Sequence, residues 1–135
     1  MPLKKKILFV FGTRPEAIKM APVIKELQRH RRYFESVITT TGQHREMLDQ
    51  VFKIFKIKPD FDLNIITTHQ TLSQITVKAL LGLEEIFRGQ RPDLVIIQGD
   101  TTTTFVAALT AFYEQIPLAH IEAGLRTGDK TSPYP

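Results

Sequence analysis

Three short stretches hold most of the side chains that could bind an anion or move a proton. They are Gly12-Thr13-Arg14-Pro15-Glu16, Gln98-Gly99-Asp100-Thr101-Thr102-Thr103-Thr104 and Glu122-Ala123-Gly124-Leu125-Arg126-Thr127-Gly128-Asp129. Arg14 offers a planar cation matched to phosphate oxygens. It stands where a strand pattern passes into a helix pattern, and the N–H groups of a helix start favour an anion. The same residues spell a capping box, with Thr13 as N-cap and Glu16 three residues on. The two roles compete in part, because a Glu16 carboxylate and a phosphate would seek the same amides. One glycine is too few for the dinucleotide fingerprint, and no Walker A sequence occurs.

Asp100 and Glu122 are the candidate acid and base. Asp100 precedes a helix pattern and suits an N-cap equally well. The threonines at 101, 102, 103 and 104 are poor helix formers. They place hydroxyls at a helix mouth, which suits a sugar or a phosphate. Glu122 directly follows an apolar strand expected to be buried. A carboxylate there is either paired with Arg126 or held with a raised pKa for proton transfer. The helix dipole favours ionised Asp100, so Asp100 is expected to accept a proton. Desolvated Glu122 is expected to donate one or to set its partner's pKa. His44, in Gln43-His44-Arg45, could touch a ligand; His120, inside a strand, reads as a hydrogen-bonded core residue.

The elements that must position these residues alternate along the chain. Lys6 to Phe11 is a continuous apolar run suited to a strand buried on both faces. Glu16 to His30 has helical spacing, Phe34 to Thr40 reads as a strand, and His44 to Phe55 is helical and closed by Pro59. Leu63 to Ile66 is a short strand, Thr71 to Arg88 a long amphipathic helix, and Asp93 to Gln98 a strand. Thr102 to Gln115 is a helix, and Leu118 to Ile121 a last strand. Strands separated by helices imply βαβ crossovers and a parallel sheet. The expected architecture is α/β, a doubly wound Rossmann-like sheet of order 3-2-1-4-5. Ligands of such sheets bind beyond the carboxyl ends of the strands, where the order reverses, and the three stretches sit there. Pro22 falls inside the first helix pattern, so a kink or a late start is expected.

The 135 residues suit one domain, with 42% apolar and 24% charged residues. No apolar run approaches the ~20 residues of a membrane helix. Lys4-Lys5-Lys6 before a five-residue apolar run resembles a signal peptide only in charge order, and no small-residue cleavage site follows. A cytoplasmic protein with no membrane partner is expected. Without cysteine there are neither disulfides nor thiolate metal sites, and no metal or other cofactor is expected. The net charge of +4 gathers at Lys4 to Lys6 and Arg29 to Arg32 without aromatic interleaving or a DNA-reading motif. A nucleic-acid partner is therefore not expected, although a positive field favours an anionic small substrate.

Four stretches together closely resemble the non-hydrolysing UDP-N-acetylglucosamine 2-epimerases. They are Phe11-Gly12-Thr13-Arg14-Pro15-Glu16-Ala17-Ile18-Lys19-Met20-Ala21-Pro22, Thr41-Gly42-Gln43-His44-Arg45-Glu46-Met47-Leu48-Asp49-Gln50, Gly99-Asp100-Thr101-Thr102-Thr103-Thr104 and His120-Ile121-Glu122-Ala123-Gly124-Leu125-Arg126-Thr127-Gly128. The resemblance implies two Rossmann-like domains in the GT-B arrangement, with the active site between them. Residues 1–135 would be the N-terminal domain, and the second, uridine-binding domain would lie outside this chain. It implies interconversion of UDP-N-acetylglucosamine and UDP-N-acetylmannosamine for surface polysaccharides. The C2 proton and UDP would leave to give a 2-acetamidoglucal, and UDP would then add back with the C2 proton arriving on the other face. Asp100 and Glu122 would be the acid–base carboxylates. Arg14 and Lys19 would serve the phosphates, with Thr101, Thr102 and Arg126 as further substrate contacts. Gln43 and His44 resemble part of a site for a second, activating UDP-N-acetylglucosamine. Members usually dimerise and use no metal. The alternatives are a hydrolysing epimerase and a stand-alone flavodoxin-like ligand-binding module.

Overall fold

The strand β1 (Lys5–Phe11) owes its central place to a sequence that is apolar on both faces. Leu8 and Val10 point into one buried cluster, and Ile7, Phe9 and Phe11 into another. That period of two, with no polar face, suits a strand flanked by helices above and below. The computed structural model describes residues 3–42, 45–124 and 126–132. Its other elements are α1 (Arg14–Arg29), β2 (Phe34–Thr40), α2 (Arg45–Phe55), β3 (Phe61–Asp62), α3 (Leu72–Gln90), β4 (Leu94–Gln98), α4 (Thr102–Tyr113) and β5 (Leu118–Ile121).

The strands form one parallel sheet of order β3-β2-β1-β4-β5, the order expected from the alternation. In register, Leu8 faces Val37 on one side and Val95 on the other. Ala17, Met20, Ala21 and Ile24 of α1 and Leu48 and Val51 of α2 cover one face. Ala79, Leu83 and Phe87 of α3 and Val106, Ala107 and Ala111 of α4 cover the other. The long helix α3 carries the chain from one side of β1 to the other. The order therefore reverses between β1 and β4, and the crevice opens there.

Four local expectations change. The helix α1 starts at Arg14 and runs unbroken through Pro22, so the late start does not occur. Pro22 lies on the exposed side, where water can reach the carbonyl that lost its donor. The helix α2 ends at Phe55, four residues before Pro59, and is closed by Lys56 at φ 53°, with the Ile57 N–H donating to the Phe52 carbonyl at 3.0 Å, rather than by the proline. The third strand is Phe61–Asp62 rather than Leu63 to Ile66, because Asn64 at φ 44° breaks the extended geometry. The Leu63 and Ile65 amides still donate to Thr40 and Thr41 at 2.9 and 3.0 Å, so this stretch stays laced to β2. Finally, Thr101 rather than Asp100 caps α4.

Candidate functional site

At the carboxyl ends of β1, β4 and β5 the three polar stretches border one cleft of about 540 Å3. Arg14, Glu16, Lys19, Gln98, Asp100 and Glu122 line it. Two cations thus face three carboxylates, so the cleft is a mixed-charge site rather than a simple anion funnel. The side chain of Arg14, at the first turn of α1, is exposed and has no hydrogen-bond or ion-pair partner among the described residues. Among the described residues no group of three metal-binding side chains gathers, and no helix is long and apolar enough to cross a membrane.

Glu16 is only 2% exposed. Its Oε2 accepts from the Gly12 and Thr13 amides at 2.7 and 2.9 Å. Its Oε1 accepts from the Thr101 hydroxyl and, at 3.2 Å, shares the single proton of the Thr104 hydroxyl with the nearer Gln98 carbonyl. The capping box is therefore real, and the amides of Gly12 and Thr13 are occupied. An anion in this cleft meets the Arg14 side chain, not those two N–H groups.

Lys19 and Glu122 meet as an ion pair, and the buried Gln98 donates from Nε2 to the same Glu122 oxygen at 2.6 Å. The hydrogen bond from Lys19 holds the Glu122 carboxyl below the ordinary carboxylate range, and Gln98 adds to it. The expectation of a desolvated Glu122 with a raised pKa is thereby corrected. The strand β5 is half exposed, and no described element covers its outer edge, so Glu122 lies open to solvent. Its described partners are Lys19 and Gln98, neither foreseen from the sequence. Glu122 also sits at φ 58°. Such a backbone costs about 1–3 kcal/mol in a non-glycine residue, and it turns the carboxylate off the strand end into the cleft. The Gly99 amide donates to the Ile121 carbonyl at 3.1 Å and ties the two strand ends together there.

Lys19→Met removes the largest cause of the low Glu122 pKa, so Glu122 should titrate upward toward the ordinary carboxylate range. The sign is fixed: the ionised, paired form persists above that range and is lost as pH falls through the lowered value. Following the Glu122 carboxyl carbon by NMR across an acid titration checks this. An unmoved midpoint in Lys19→Met would show that the pair has no hold on Glu122.

Asp100 is exposed and makes no hydrogen bond or ion pair among the described residues. The threonine hydroxyls expected to meet a ligand are mostly committed to the fold. Thr101 bonds Glu16 and caps α4, Thr103 bonds Thr41 at 2.9 Å, and Thr104 donates to the Gln98 carbonyl at 2.8 Å. Thr102 alone of the four has its hydroxyl unbonded among the described residues. These internal bonds explain how a run of poor helix formers opens a helix. His120 is exposed, not in the core, and donates from Nε2 to the Gly99 carbonyl at 2.6 Å. It borders a smaller recess of about 180 Å3 with Asp100, Glu122 and Arg126. Gln43 and His44 lie outside the described residues.

Residues 25–135 match the family model of the UDP-N-acetylglucosamine 2-epimerases. The chain belongs to that family. It is 58% identical over 132 residues to the UDP-N-acetylglucosamine 2-epimerase of Bacillus subtilis, covering 98% of this chain and 34% of the relative. It is 55% identical over 130 residues to the Escherichia coli enzyme, covering 96% of this chain and 34% of the relative. The crystal structure of the Neisseria meningitidis epimerase, bound to UDP-GlcNAc, superposes with a TM-score of 0.90 at 56% identity, covering 96% of this chain and 35% of that one. The chain thus spans about a third of the length of the curated relatives it matches. Within this epimerase-family fold the carboxylates singled out in the sequence, Asp100 and Glu122, border one cleft with Arg14 and Lys19. Gln98, a polar side chain closing an apolar strand, and the cross-loop role of Glu16 were missed. Its place at the strand end was the available signal for Gln98. Nothing local marked the reach of Glu16 to Thr101.

Proposed function

We propose that these residues form the N-terminal side of an active site that interconverts UDP-N-acetylglucosamine and UDP-N-acetylmannosamine. The observation that carries this reading is the convergence of Arg14, Lys19, Asp100 and Glu122 on one cleft at the strand-order reversal. The C2 proton of the sugar is weakly acidic, because no carbonyl adjoins it. Its removal must be coupled to departure of the diphosphate from C1. Arg14 and Lys19 supply cations for that leaving group, and Asp100, unpaired and exposed, supplies a base. UDP then returns to C1 and a proton to the opposite face of C2, so no atom is gained or lost.

Glu122 handles the second proton by a different route from desolvation. A diphosphate that draws Lys19 to itself removes the main cause of the low Glu122 pKa. Glu122 then returns toward the ordinary carboxylate range, and the negative charge of the diphosphate beside it favours its protonated form, from which it can give a proton to C2. Arg126 and Thr102 remain candidate substrate contacts at the rim, and Gln43 and His44 candidate contacts for a second nucleotide sugar. The reading includes a homodimer of the full-length protein, no added cofactor, a role in polysaccharide synthesis and a cytoplasmic location. These 135 residues by themselves supply one side of the cleft, so the isolated chain is expected to show no turnover.

The test is incubation with UDP-N-acetylglucosamine in deuterated water, followed by proton NMR. A full-length enzyme carrying residues 1–135 at its N-terminus should form the manno epimer with deuterium at C2 and release little free sugar. Free N-acetylmannosamine as the main product would favour the hydrolysing reaction and overturn this one. Turnover by the isolated chain at the full-length rate would overturn the one-sided cleft.

A further inference from the structure

We infer that Glu16 is the positioning residue of this cleft, a buried latch that sets the β1–α1 loop against the β4–α4 loop. The inference rests on the proposed epimerase reading for its kinetic consequence, but not for its geometry. Glu16 lies two residues from Arg14, and its partner Thr101 directly follows Asp100. One carboxylate therefore joins the loop that presents the phosphate cation to the loop that presents the base. All four bonds run to groups of those loops or of α4: two amides on one side, two hydroxyls on the other.

The geometry also separates a positioning role from a chemical one. Both Glu16 oxygens are already filled by donors, and the side chain is almost wholly buried. It has no free lone pair facing the cleft from which to take a substrate proton. Its function needs acceptors in two places, not a negative charge. Glutamine can meet that need. Its carbonyl can accept from the Gly12 and Thr13 amides, which can only donate. Its NH2 can then face the threonine hydroxyls, which rotate to accept. The Thr104 hydroxyl keeps its bond to the Gln98 carbonyl in that arrangement. Alanine supplies neither end and leaves two buried amides without an acceptor.

Two experiments test the latch. In the 135-residue chain, 15N relaxation and amide shifts of Gly12 to Arg14 and of Gly99 to Thr101 report both loops. Glu16→Ala should loosen both stretches together, and Glu16→Gln should keep both near wild type. This arm needs no activity, so it stands even if the epimerase reading fails. In the full-length enzyme, Glu16→Ala should lower kcat about 100-fold, the scale of an ~1 Å misplacement of reacting groups, with KM changed far less. Glu16→Gln should recover most of the rate. Should Glu16→Ala fail to fold, Thr101→Val and Thr101→Ser replace it. Valine removes the Thr101 bond to Glu16 together with the α4 cap and leaves the Gly12 and Thr13 amides accepted by Glu16, whereas serine keeps the hydroxyl for both. Valine should lower kcat, and serine should not. Glu16→Gln as damaging as Glu16→Ala would mean the charge itself acts, and the inference would fail. Loop signals unmoved in Glu16→Ala, or Thr101→Val with the wild-type kcat, would equally overturn it.

Discussion

Asp100→Asn and Glu122→Gln should each lower turnover by ~100-fold or more in a full-length enzyme, within the range of general acid–base contributions. The two losses should differ in kind. The Asp100 carboxylate is exposed and unpartnered among the described residues, so its amide replacement removes a proton acceptor without breaking a contact. In deuterated water Asp100→Asn should suppress exchange at C2 along with turnover. The Glu122 carboxylate is tied to Lys19 and Gln98. Its replacement removes an acid and also frees a lysine that then competes for the diphosphate. Glu122→Gln should therefore lower kcat with KM unchanged or reduced, the pattern of a lost transition-state function. Label at C2 of recovered substrate and of product separates the two. Wild-type exchange in Asp100→Asn would take the base role from that residue. Wild-type exchange in both variants would leave neither carboxylate with the C2 proton.

Replacing Arg14 by alanine should lower kcat/KM at least ~100-fold, the loss of a charge-assisted contact worth about 3 kcal/mol. Because Glu16 occupies the amides of Gly12 and Thr13, the helix start cannot offer those two donors in place of the missing guanidinium. The loss should accordingly be larger than at a phosphate loop with open N–H groups. Arg14→Lys should recover little, since one ammonium cannot reproduce two parallel N–H bonds to a phosphate. Steady-state kinetics on both variants, with folding checked by circular dichroism, measure this. Near-wild-type kcat/KM in Arg14→Ala would reduce the first loop to a cap for α1.

The sequence by itself determined the class of fold and the neighbourhood of the site. Continuous apolar runs such as Ile7 to Phe11 admit only a strand covered on both faces, and helical spacing between such runs leaves little but a parallel, doubly wound sheet. Strand order then places the ends of β1, β4 and β5 together, which is why Arg14, Asp100 and Glu122 could be named as neighbours without coordinates. The four long motifs pointed to the family to which the chain belongs.

Only the tertiary structure decided what those side chains do to one another. Lys19 and Glu122 are 103 residues apart, and Glu16 and Thr101 are 85 apart. No local pattern encodes such pairs, because propensity and periodicity report only the nearest few residues. The charge state of Glu122 followed the same rule. Its position after an apolar strand suggested burial, but β5 borders the described sheet and leaves the carboxylate exposed to a lysine from α1. The third strand turned on one backbone angle, the left-handed Asn64, which a run of apolar residues does not reveal. The threonines at the mouth of α4 were legible as unusual, yet their hydroxyls serve the fold, because buried hydroxyls take the nearest acceptors available to them.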